Sequence, residues 1–500
     1  MRPDPFPLTR PAYAPAGLLS DLLVRDRRLL DRLVTLGLEG IDSGGSRHAL
    51  LVGPPGSGKT HLLHLAAARL RRKAPKERKP LAARLPENIW SVTSFADLLL
   101  RALEALARQG EIPQEDRRER PGPATAREAA EALRKACRGR PLLLILENLD
   151  RLFAALGEEG QKEFRAFLQE EGSVSVWAGS RRLFDQVTRR TSPFYGFFRL
   201  ERLEPLAPQR ALTLAGRVLE KLGPRREEAA PARPETAAWI RAVHHVSRGN
   251  ARLCLLFSLG LARDASFRAA FMDALDRISP IHMEEVRDAS PQQRKILDHL
   301  ADRGGAIQVK EIARACLASE QTVSSQLRGL LKEGLVAVTR LGRNSFYELS
   351  DPLLRICLDL DRGEGRAVLR EMEFLAHWFR PEGPLDRELE GILAAGPGRG
   401  AWTAAAAARI GGAEREGSLP ALGAALVRSL KPLLRSPLGP EARREWLETW
   451  KARGRAAEEL ALPLAWMEGA LREAESPRSP LFLALPLEAR ELLLPLLEGA

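Results

Sequence analysis

The sequence predicts an α/β fold in its first two hundred residues and mainly helical structure after that. Apolar strand-like runs alternate with amphipathic helical segments up to about residue 180, a pattern typical of a mostly parallel sheet with helices on both faces. From Pro208 to about Ile281 the apolar spacing is helical, and residues 290–350 change to three helices and a hairpin. Residues 351–500 are again helical. A chain of 500 residues is too long for one core, so we expect about three domains.

Each element of the α/β part is predicted from apolar periodicity. Residues 20–40 place Leu22, Leu29 and Leu33 on one helical face, and the apolar run before residue 53 is typical of a buried strand. The predicted helices cover residues 20–40, 61 to about 72, 94–108, 125–137 and 160–170, and the predicted strands cover residues 47–52, 81–84, 141–146 and 173–178.

Composition limits the class of protein. The net charge of +12 and the pI of about 9.9 favour a polyanionic partner such as nucleic acid, although an arginine-rich composition produced by GC-rich codons has the same effect. Four cysteines lie far apart without a CxxC pair, which argues against a zinc cage or a disulfide framework. No apolar run approaches the ~20 residues of a membrane span, and the proline-rich start carrying Asp4 lacks the form of a signal peptide. We therefore expect a cytoplasmic protein with no membrane association.

The segment GPPGSGKT, Gly53 to Thr60, matches the phosphate-loop pattern at every position. Its glycines let backbone N–H groups turn toward phosphates, Lys59 reaches the β and γ oxygens, and the Thr60 hydroxyl can bind Mg²⁺. We therefore predict ATP and Mg²⁺ as cofactors and a P-loop NTPase sheet. The predicted nucleotide-binding residues within and next to the loop are Gly53, Pro54, Pro55, Gly56, Ser57, Gly58, Lys59, Thr60 and His61.

An acidic partner follows the apolar strand of LLLILENLD. Glu147 is predicted to hold the Mg²⁺ shell. In the usual arrangement a second Glu comes next and positions the attacking water, but Asn148 stands here and cannot take a proton. We therefore expect slow hydrolysis, with Asp150 or Glu147 itself as the alternative base.

Two later features complete the predicted catalytic set. Ser180 ends the strand SVSVWAGS, near the expected γ-phosphate, and Arg189 and Arg190 end the next predicted helix. Such arginines can complete a neighbouring subunit's site as a finger, which would need a homo-oligomer formed on ATP binding. The same pattern is equally compatible with solvated arginines.

The phosphate loop, the ENLD segment, Ser180 and the turn Gly249-Asn250-Ala251-Arg252 occur in the order found in AAA+ ATPases. Over roughly residues 20–350 the chain resembles the origin-recognition and STAND branch of that family, including the related archaeal-type ATPases. The resemblance implies that Ser180 is sensor 1. It also implies that Arg252 is sensor 2, which reaches the nucleotide from a helical lid.

Residues 290–350 resemble a MarR-like winged helix. In the third helix, EQTVSSQLRGLLKEG, the leucines and Val323 are predicted to face the core, and this helix would enter a major groove. The segment is nearly neutral, so a protein-docking winged helix is the alternative to DNA binding. The predicted DNA-contacting residues are Gln321, Thr322, Ser324, Ser325 and Arg328 on the helix and Arg340 and Arg343 on the wing.

The remaining sequence carries weaker signals. The basic run RRKAPKERK over 71–79 is read as a solvated loop or a DNA-backbone contact. His61, His64, His244 and His245 lack metal-ligand spacing and are read as structural, and no nuclease, protease or kinase constellation is found. The predicted regions are an N-terminal extension (1–19), the ATPase domain (20–207), the helical lid (208–285), the winged helix (286–355) and an all-α C-terminal region that binds a partner protein (356–500).

Three hypotheses follow from these residues. The first is an ATP-binding AAA+/STAND-type switch that engages DNA, in replication initiation, transposition or defence against mobile elements. The second is a nucleotide-sensing transcriptional regulator. The third is an ATP-dependent scaffold whose winged helix docks a partner enzyme.

Overall fold

The computed structural model describes residues 11, 14–25, 27–85, 92–113, 125–222, 233–263, 265–287, 289–381 and 480–498. The chain divides into two compact units, Met1–Leu206 and Ala207–Ala500. Most of the predicted N-terminal extension and residues 382–479 of the predicted C-terminal region lie outside the described residues. The finer domain boundaries proposed from the sequence stay predictions.

A five-stranded sheet forms the centre of the first unit, with strand order β2-β3-β4-β1-β5 and every pairing parallel. The predicted α/β class with a parallel sheet is confirmed. Helices cover both faces, because Leu50 and Leu144 belong to one buried cluster whereas Leu51 and Trp177 belong to another. The strands are β1 (Ala49–Val52), β2 (Leu81–Arg84), β3 (Leu142–Leu146), β4 (Val174–Ser180) and β5 (Arg199–Arg202).

The strand β5 was not predicted from the sequence. It carries two arginines and a glutamate around Leu200, and three of its four residues are exposed. It pairs with β1 through backbone alone, with Ala49 opposite Arg199 and Val52 opposite Arg202. An exposed edge strand lacks the apolar pattern on which strand prediction depends.

The helices of the first unit differ from the prediction at two places. The predicted helix over residues 20–40 is two helices, and the helix predicted from Gly160 begins at Leu149, with a non-helical Gly157 (φ 63°, ψ −172°) inside it. Glycine permits this kink because it has no Cβ. The helices are α1 (Ala16–Asp21), α2 (Arg27–Ser43), α3 (Lys59–Lys73), α4 (Phe95–Arg108), α5 (Ala126–Cys137), α6 (Leu149–Glu170) and α7 (Asp185–Thr188).

The second unit begins with four helices over the region predicted as a helical lid. Asn250 starts the third of them by accepting hydrogen bonds from the backbone N–H groups of Arg252 and Leu253, both at 3.1 Å, as an N-cap does. The fourth runs through Pro280 and ends two residues beyond the predicted lid boundary. The helices are α8 (Pro208–Leu222), α9 (Pro234–Val246), α10 (Ala251–Ala262) and α11 (Phe267–Arg287).

The predicted winged helix is confirmed. Val323, Leu327 and Leu330 are fully buried in its core, whereas Leu331 is only partly buried. The three-stranded sheet has order β6-β8-β7 with antiparallel pairs. The elements are α12 (Pro291–Arg303), β6 (Ile307–Gln308), α13 (Val309–Cys316), α14 (Glu320–Lys332), β7 (Val336–Leu341) and β8 (Asn344–Leu349).

Four more helices follow within the described residues: α15 (Pro352–Asp361), α16 (Gly365–Trp378), α17 (Pro480–Leu483) and α18 (Leu487–Glu498). A buried ion network joins the first two, because Arg355 bonds to Asp359 at 3.0 Å and to Glu371 at 2.7 Å. Burial raises the pKa of Asp359, against the lowering effect of Arg355 and Arg362. None of the helices in the described ranges has the length and apolar character needed to cross a bilayer.

Candidate functional site

The predicted phosphate loop and acidic segment meet at one edge of the first unit's sheet. Val52, the last residue of β1, lies opposite Ser180 of β4, and Leu146 of β3 lies opposite Ala178. The N–H of Gly53 donates to the Ser180 carbonyl at 3.1 Å. In open parallel sheets ligands bind outside the carboxyl ends of the strands, and this edge carries both motifs.

The loop has the backbone shape that its glycines predict. Gly56 (φ 75°) and Gly58 (φ 93°) adopt left-handed conformations, which residues with a Cβ disfavour. A Cβ at Gly53 would lie 2.9 Å from Ser57 Oγ. The helix α3 begins at Lys59, directly after the loop, so its positive N-terminal end faces the loop.

Lys59 places its ammonium group inside this loop. Its Nζ donates to the carbonyl oxygens of Gly53 at 2.7 Å and Pro54 at 3.0 Å, and the residue is buried. A lysine held there is within reach of the phosphates that the loop would bind.

Glu147 and Lys59 both lie next to Gly179. A Cβ built on Gly179 would lie 3.0 Å from Glu147 Oε2 and 3.6 Å from Lys59 Cε. A Cβ there would crowd the Glu147 carboxylate while making only ordinary contact with Lys59, so Gly179 is a residue of the site that the sequence did not reveal. The available signal was a glycine between a buried strand and the polar Ser180.

Asn148 has a structural reason for its identity. Its backbone is left-handed (φ 48°, ψ 53°), and it is the N-cap of α6 without a capping hydrogen bond from its side chain. Its backbone carbonyl accepts from the N–H of Leu152 at 3.1 Å. Asparagine tolerates this conformation, whereas the longer side chain of a glutamate is disfavoured there. The left-handed backbone at position 148 therefore favours asparagine over the glutamate that was expected as the catalytic base.

Ser180 is fully buried and contacts Asp150. Its Oγ lies 2.7 Å from the Arg182 carbonyl and 3.2 Å from Asp150 Oδ1. The hydroxyl proton is therefore shared between two acceptors, and the contact fixes Asp150 next to the end of β4. The structure thus brings Glu147, Asn148, Asp150 and Ser180 together with the phosphate loop.

The segment before α2 packs against the loop, which the sequence analysis did not anticipate. Arg25 donates from Nη1 to the Glu204 carbonyl at 2.7 Å and from Nη2 to the Ser57 carbonyl. Arg25 therefore satisfies one carbonyl of the phosphate loop. A lone arginine in a charged helical stretch carried no signal of this contact.

His61, predicted as part of the nucleotide site, makes a hydrogen bond to the backbone of another helix. Its Nε2 lies 2.8 Å from the Leu19 carbonyl, and it links α3 to α1. Burial lowers the pKa of His61, partly offset by that hydrogen bond. Burial likewise lowers the pKa of His64, to about 3, which fits the structural role predicted for both rings.

The two candidate finger arginines lie just after the short helix α7. Arg189 pairs with Asp185 at 3.0 Å and has 66% of its side chain exposed, and Arg190 is also exposed. Their role as arginine fingers stays a prediction.

Arg252 lies in the second unit, in the first turn of α10. It begins the helix whose N-cap is Asn250, as the turn in the sequence predicts. Its role toward a nucleotide stays a prediction.

The predicted DNA-contacting side chains lie on the surface of the winged helix. Val323 and Leu327 anchor α14 in the core, so the intervening polar residues face outward. Arg340 lies on β7, and Arg343 lies in the two-residue turn between β7 and β8. Six of the seven residues are exposed, and Ser324 is partly buried: Gln321, Thr322, Ser325, Arg328, Arg340 and Arg343 form the exposed set.

The donor set suits Mg²⁺ held largely by a nucleotide. Among the described residues no group of three or more His, Cys, Asp or Glu side chains is placed to hold a metal. Magnesium is usually bound by one or two protein ligands together with substrate phosphates. The Thr60 hydroxyl and the Glu147 carboxylate are therefore the candidate protein ligands.

Two family models match the chain. Residues 22–178 match the model described as AAA ATPase domain, and residues 288–344 match the model described as MarR family. The chain thus contains an AAA ATPase domain and a MarR-type winged helix, as the resemblance in its sequence implied. No curated protein matches the chain significantly in sequence.

Several solved structures are similar in fold. A Walker-type ATPase of Pyrococcus abyssi is 17% identical with a TM-score of 0.45, over 67% of this chain and 95% of that one. The Aeropyrum pernix ORC2 protein, in ADPNP–ADP complexes, is 15% identical with a TM-score of 0.49, over 69% and 95%. The A. pernix ORC1 protein in complex with DNA is 16% identical with a TM-score of 0.42, over 72% and 97%. At these low scores, the nucleotides and the DNA belong to those proteins alone.

Proposed function

We propose that this protein is an ATP-dependent switch that binds ATP with Mg²⁺ at the phosphate loop and engages DNA through its winged helix. The observation that carries the proposal is that Lys59 and Glu147 both lie against Gly179, at the carboxyl edge of the sheet. A cation inside a glycine loop and a carboxylate beside it are the two charges that a magnesium–nucleotide complex needs.

Slow hydrolysis is part of this proposal. Asn148 stands where a water-positioning glutamate is expected, and its left-handed backbone disfavours that glutamate. Asp150, held by Ser180, is the nearest alternative base. A long-lived ATP-bound state gives a partner time to bind the conformation that ATP favours. Occupancy of the site by ATP, rather than its hydrolysis, would then control the switch.

DNA is the proposed target of the winged helix. The match to the MarR family covers the helix α14, the strand β7 and the wing turn, and most of the polar side chains of α14 are exposed. The second candidate is a protein-docking winged helix, which the nearly equal numbers of basic and acidic residues in this segment favour. Replication initiation, transposition and defence against mobile elements are the settings in which such a switch operates.

Further parts of the proposal concern assembly. Arg189 and Arg190, exposed beyond α7, would serve a neighbouring copy in an oligomer formed on ATP binding. Arg252 would read the nucleotide from the lid. The C-terminal region would bind a partner protein, and the cytoplasm is the proposed location.

The experiment that tests the nucleotide proposal is titration of Lys59→Ala with a fluorescent ATP analogue. We expect tight binding to be lost, because the substitution removes the positive charge next to the β and γ oxygens, while the fold is kept. Lys73→Ala is the matched control, since Lys73 ends the same helix and is exposed. Equal affinities of Lys59→Ala and wild type would overturn the assignment.

A further inference from the structure

The C-terminal segment 480–498 docks onto the winged helix. The N–H of Ala306 donates to the Leu483 carbonyl at 2.8 Å, and Leu483 packs with Phe346 and Ala306 in a small apolar cluster. A Cβ on Gly305 would lie 2.0 Å from the Ala484 carbonyl oxygen. Because only glycine fits there, the surface around Gly305 is shaped for this segment.

A buried ion pair holds the same segment to the wing. Arg490 of α18 donates to Glu348 of β8, and both side chains are at least nine-tenths buried. Breaking such a pair by removing one partner leaves an uncompensated buried charge. This pair, the Ala306–Leu483 hydrogen bond and the close fit at Gly305 together attach the segment firmly to the wing.

The docked segment covers the face of the wing opposite to Arg340, one of the predicted DNA contacts. Side chains alternate between the two faces of a strand. Phe346 and Glu348 face the C-terminal segment, whereas Tyr347 and Leu349 pack on the winged-helix core. Arg340 pairs in register with Ser345, so it shares the face of Tyr347. The segment therefore does not cover Arg340.

The residue after Arg490 contacts the lid. Arg248 lies in the turn between α9 and α10, with a left-handed backbone (φ 47°). Its Nη2 pairs with Glu491 at 2.6 Å, and its Nη1 donates to the Ser350 carbonyl, at the end of β8, at 3.1 Å. Arg248 thus joins the lid turn, the wing and α18, only four positions before Arg252.

The two ion pairs differ in strength. The Arg490–Glu348 pair is buried, whereas in the Arg248–Glu491 pair 41% and 36% of the side chains are exposed. An exposed pair is weak and sensitive to salt. Adjacent residues of α18 therefore make one firm contact to the wing and one reversible contact to the lid turn.

We infer that residues 480–498 form a strap that transmits the nucleotide-dependent state of the lid to the winged helix through Arg248. The inference rests on the proposed function, because it takes ATP binding at the phosphate loop and its reading by the lid as its input. A small change at the turn that carries Arg248 breaks or makes the exposed contact, while the buried contact keeps the strap on the wing. Coupling of this kind needs an element whose contacts differ between two states.

The test compares Arg248→Met and Glu491→Gln with wild type. Arg277→Met is the matched control, because Arg277 pairs with Asp273 inside one lid helix and its side chain is also 41% exposed. Hydrogen exchange of the Ala306 amide and of α18 is measured with and without ATP, and duplex-DNA affinity is measured under the same two conditions.

In wild type and in Arg277→Met we expect ATP to change exchange at Ala306 and to shift DNA affinity about 5-fold or more. In the two strap variants both responses should shrink toward none, while ATP affinity stays unchanged. Strap variants that respond as wild type does would overturn the inference.

The readouts separate the inference from the proposed function. Failure of the wild type to bind ATP would contradict the proposed function. Bound ATP without any change at Ala306 in the wild type would contradict the strap alone. A change at Ala306 without DNA binding would keep the strap and remove DNA as the target.

Discussion

The phosphate edge and the winged-helix surface differ in how they hold their polar groups. At the phosphate edge Lys59, Glu147 and Ser180 are buried. Lys59 begins α3, Glu147 follows β3, and Ser180 ends β4. On the winged helix Arg328, Arg340 and Arg343 are exposed side chains on a small helical core.

This difference indicates how many residues each predicted activity depends on. A buried charge has few partners in fixed positions, so one substitution removes most of its effect. Exposed charges act through the phosphate backbone of DNA, and their contributions are graded and screened by salt. The predicted chemistry should therefore depend on single residues, and the predicted DNA binding on the sum of several.

The largest expected effect is on turnover at the phosphate edge. We expect a steady-state rate of roughly 0.1 s⁻¹ or less, because a missing general base costs ~10²- to 10⁴-fold relative to a typical ~10 s⁻¹. Phosphate release measured with and without DNA checks this rate. Turnover near ~10 s⁻¹ without any partner would refute the occupancy-based switch.

The same assay identifies the base. Glu147→Gln and Asp150→Asn each keep the size of the side chain and remove its charge. The variant that loses residual turnover but still binds ATP marks the group that takes the proton. If both variants keep wild-type turnover, neither carboxylate is the base. Hydrolysis would then depend less on single buried residues than the burial of the phosphate edge indicates.

The next effect concerns the winged-helix surface. Replacing Arg328, Arg340 and Arg343 together with Ala should weaken duplex-DNA binding and reduce the log–log salt slope by about 0.9 for each lost phosphate contact. Fluorescence anisotropy over a range of salt concentrations measures both quantities.

The control is a second triple variant that removes the same three positive charges from another part of the surface. Arg303, Arg366 and Arg370 are exposed in the same unit, away from α14 and the wing turn, and their replacement with Ala should leave the slope nearly unchanged. An unchanged slope in the first triple variant would instead identify the winged helix as a protein-docking module.

The smallest effect tests strain in the winged helix. Leu317 ends α13 in a left-handed conformation (φ 52°) with 89% of its surface exposed, so its side chain contributes little burial. Leu317→Gly should raise stability by about 1 kcal/mol, because glycine lacks the Cβ that makes this conformation unfavourable. Leu317→Ala keeps the strain and should leave stability nearly unchanged. Thermal melts of both variants measure the difference, and equal melting temperatures would contradict the strain argument.

Asn148 and Leu317 sharpen the comparison between the two regions. Both are left-handed residues next to a helix end, but Asn148 is buried at the phosphate edge and its type suits the backbone. Leu317 is exposed and its type does not. At the buried phosphate edge the residue type therefore suits its left-handed backbone, whereas at the exposed position 317 it does not.

Local patterns in the sequence determined the nucleotide motif, most of the strands and the core of the winged helix. The strand β2 lies at the predicted residues, and α4 and α5 begin one residue after their predicted starts, because Ser94 and Thr125 are N-caps outside the helices. These features depend on spacing, capping and buried apolar runs, which a few neighbouring residues specify.

Only the tertiary structure decided the contacts between distant parts of the chain. The strand β5 forms because β1 offers it a backbone edge, and Gly179 matters because Glu147 and Lys59 approach it from other elements. Arg25 caps the Ser57 carbonyl across 32 positions, and Arg490 meets Glu348 across 142. None of these contacts could be predicted from periodicity. Each depends on how segments far apart in the sequence pack together, and the local sequence around a residue does not specify that packing.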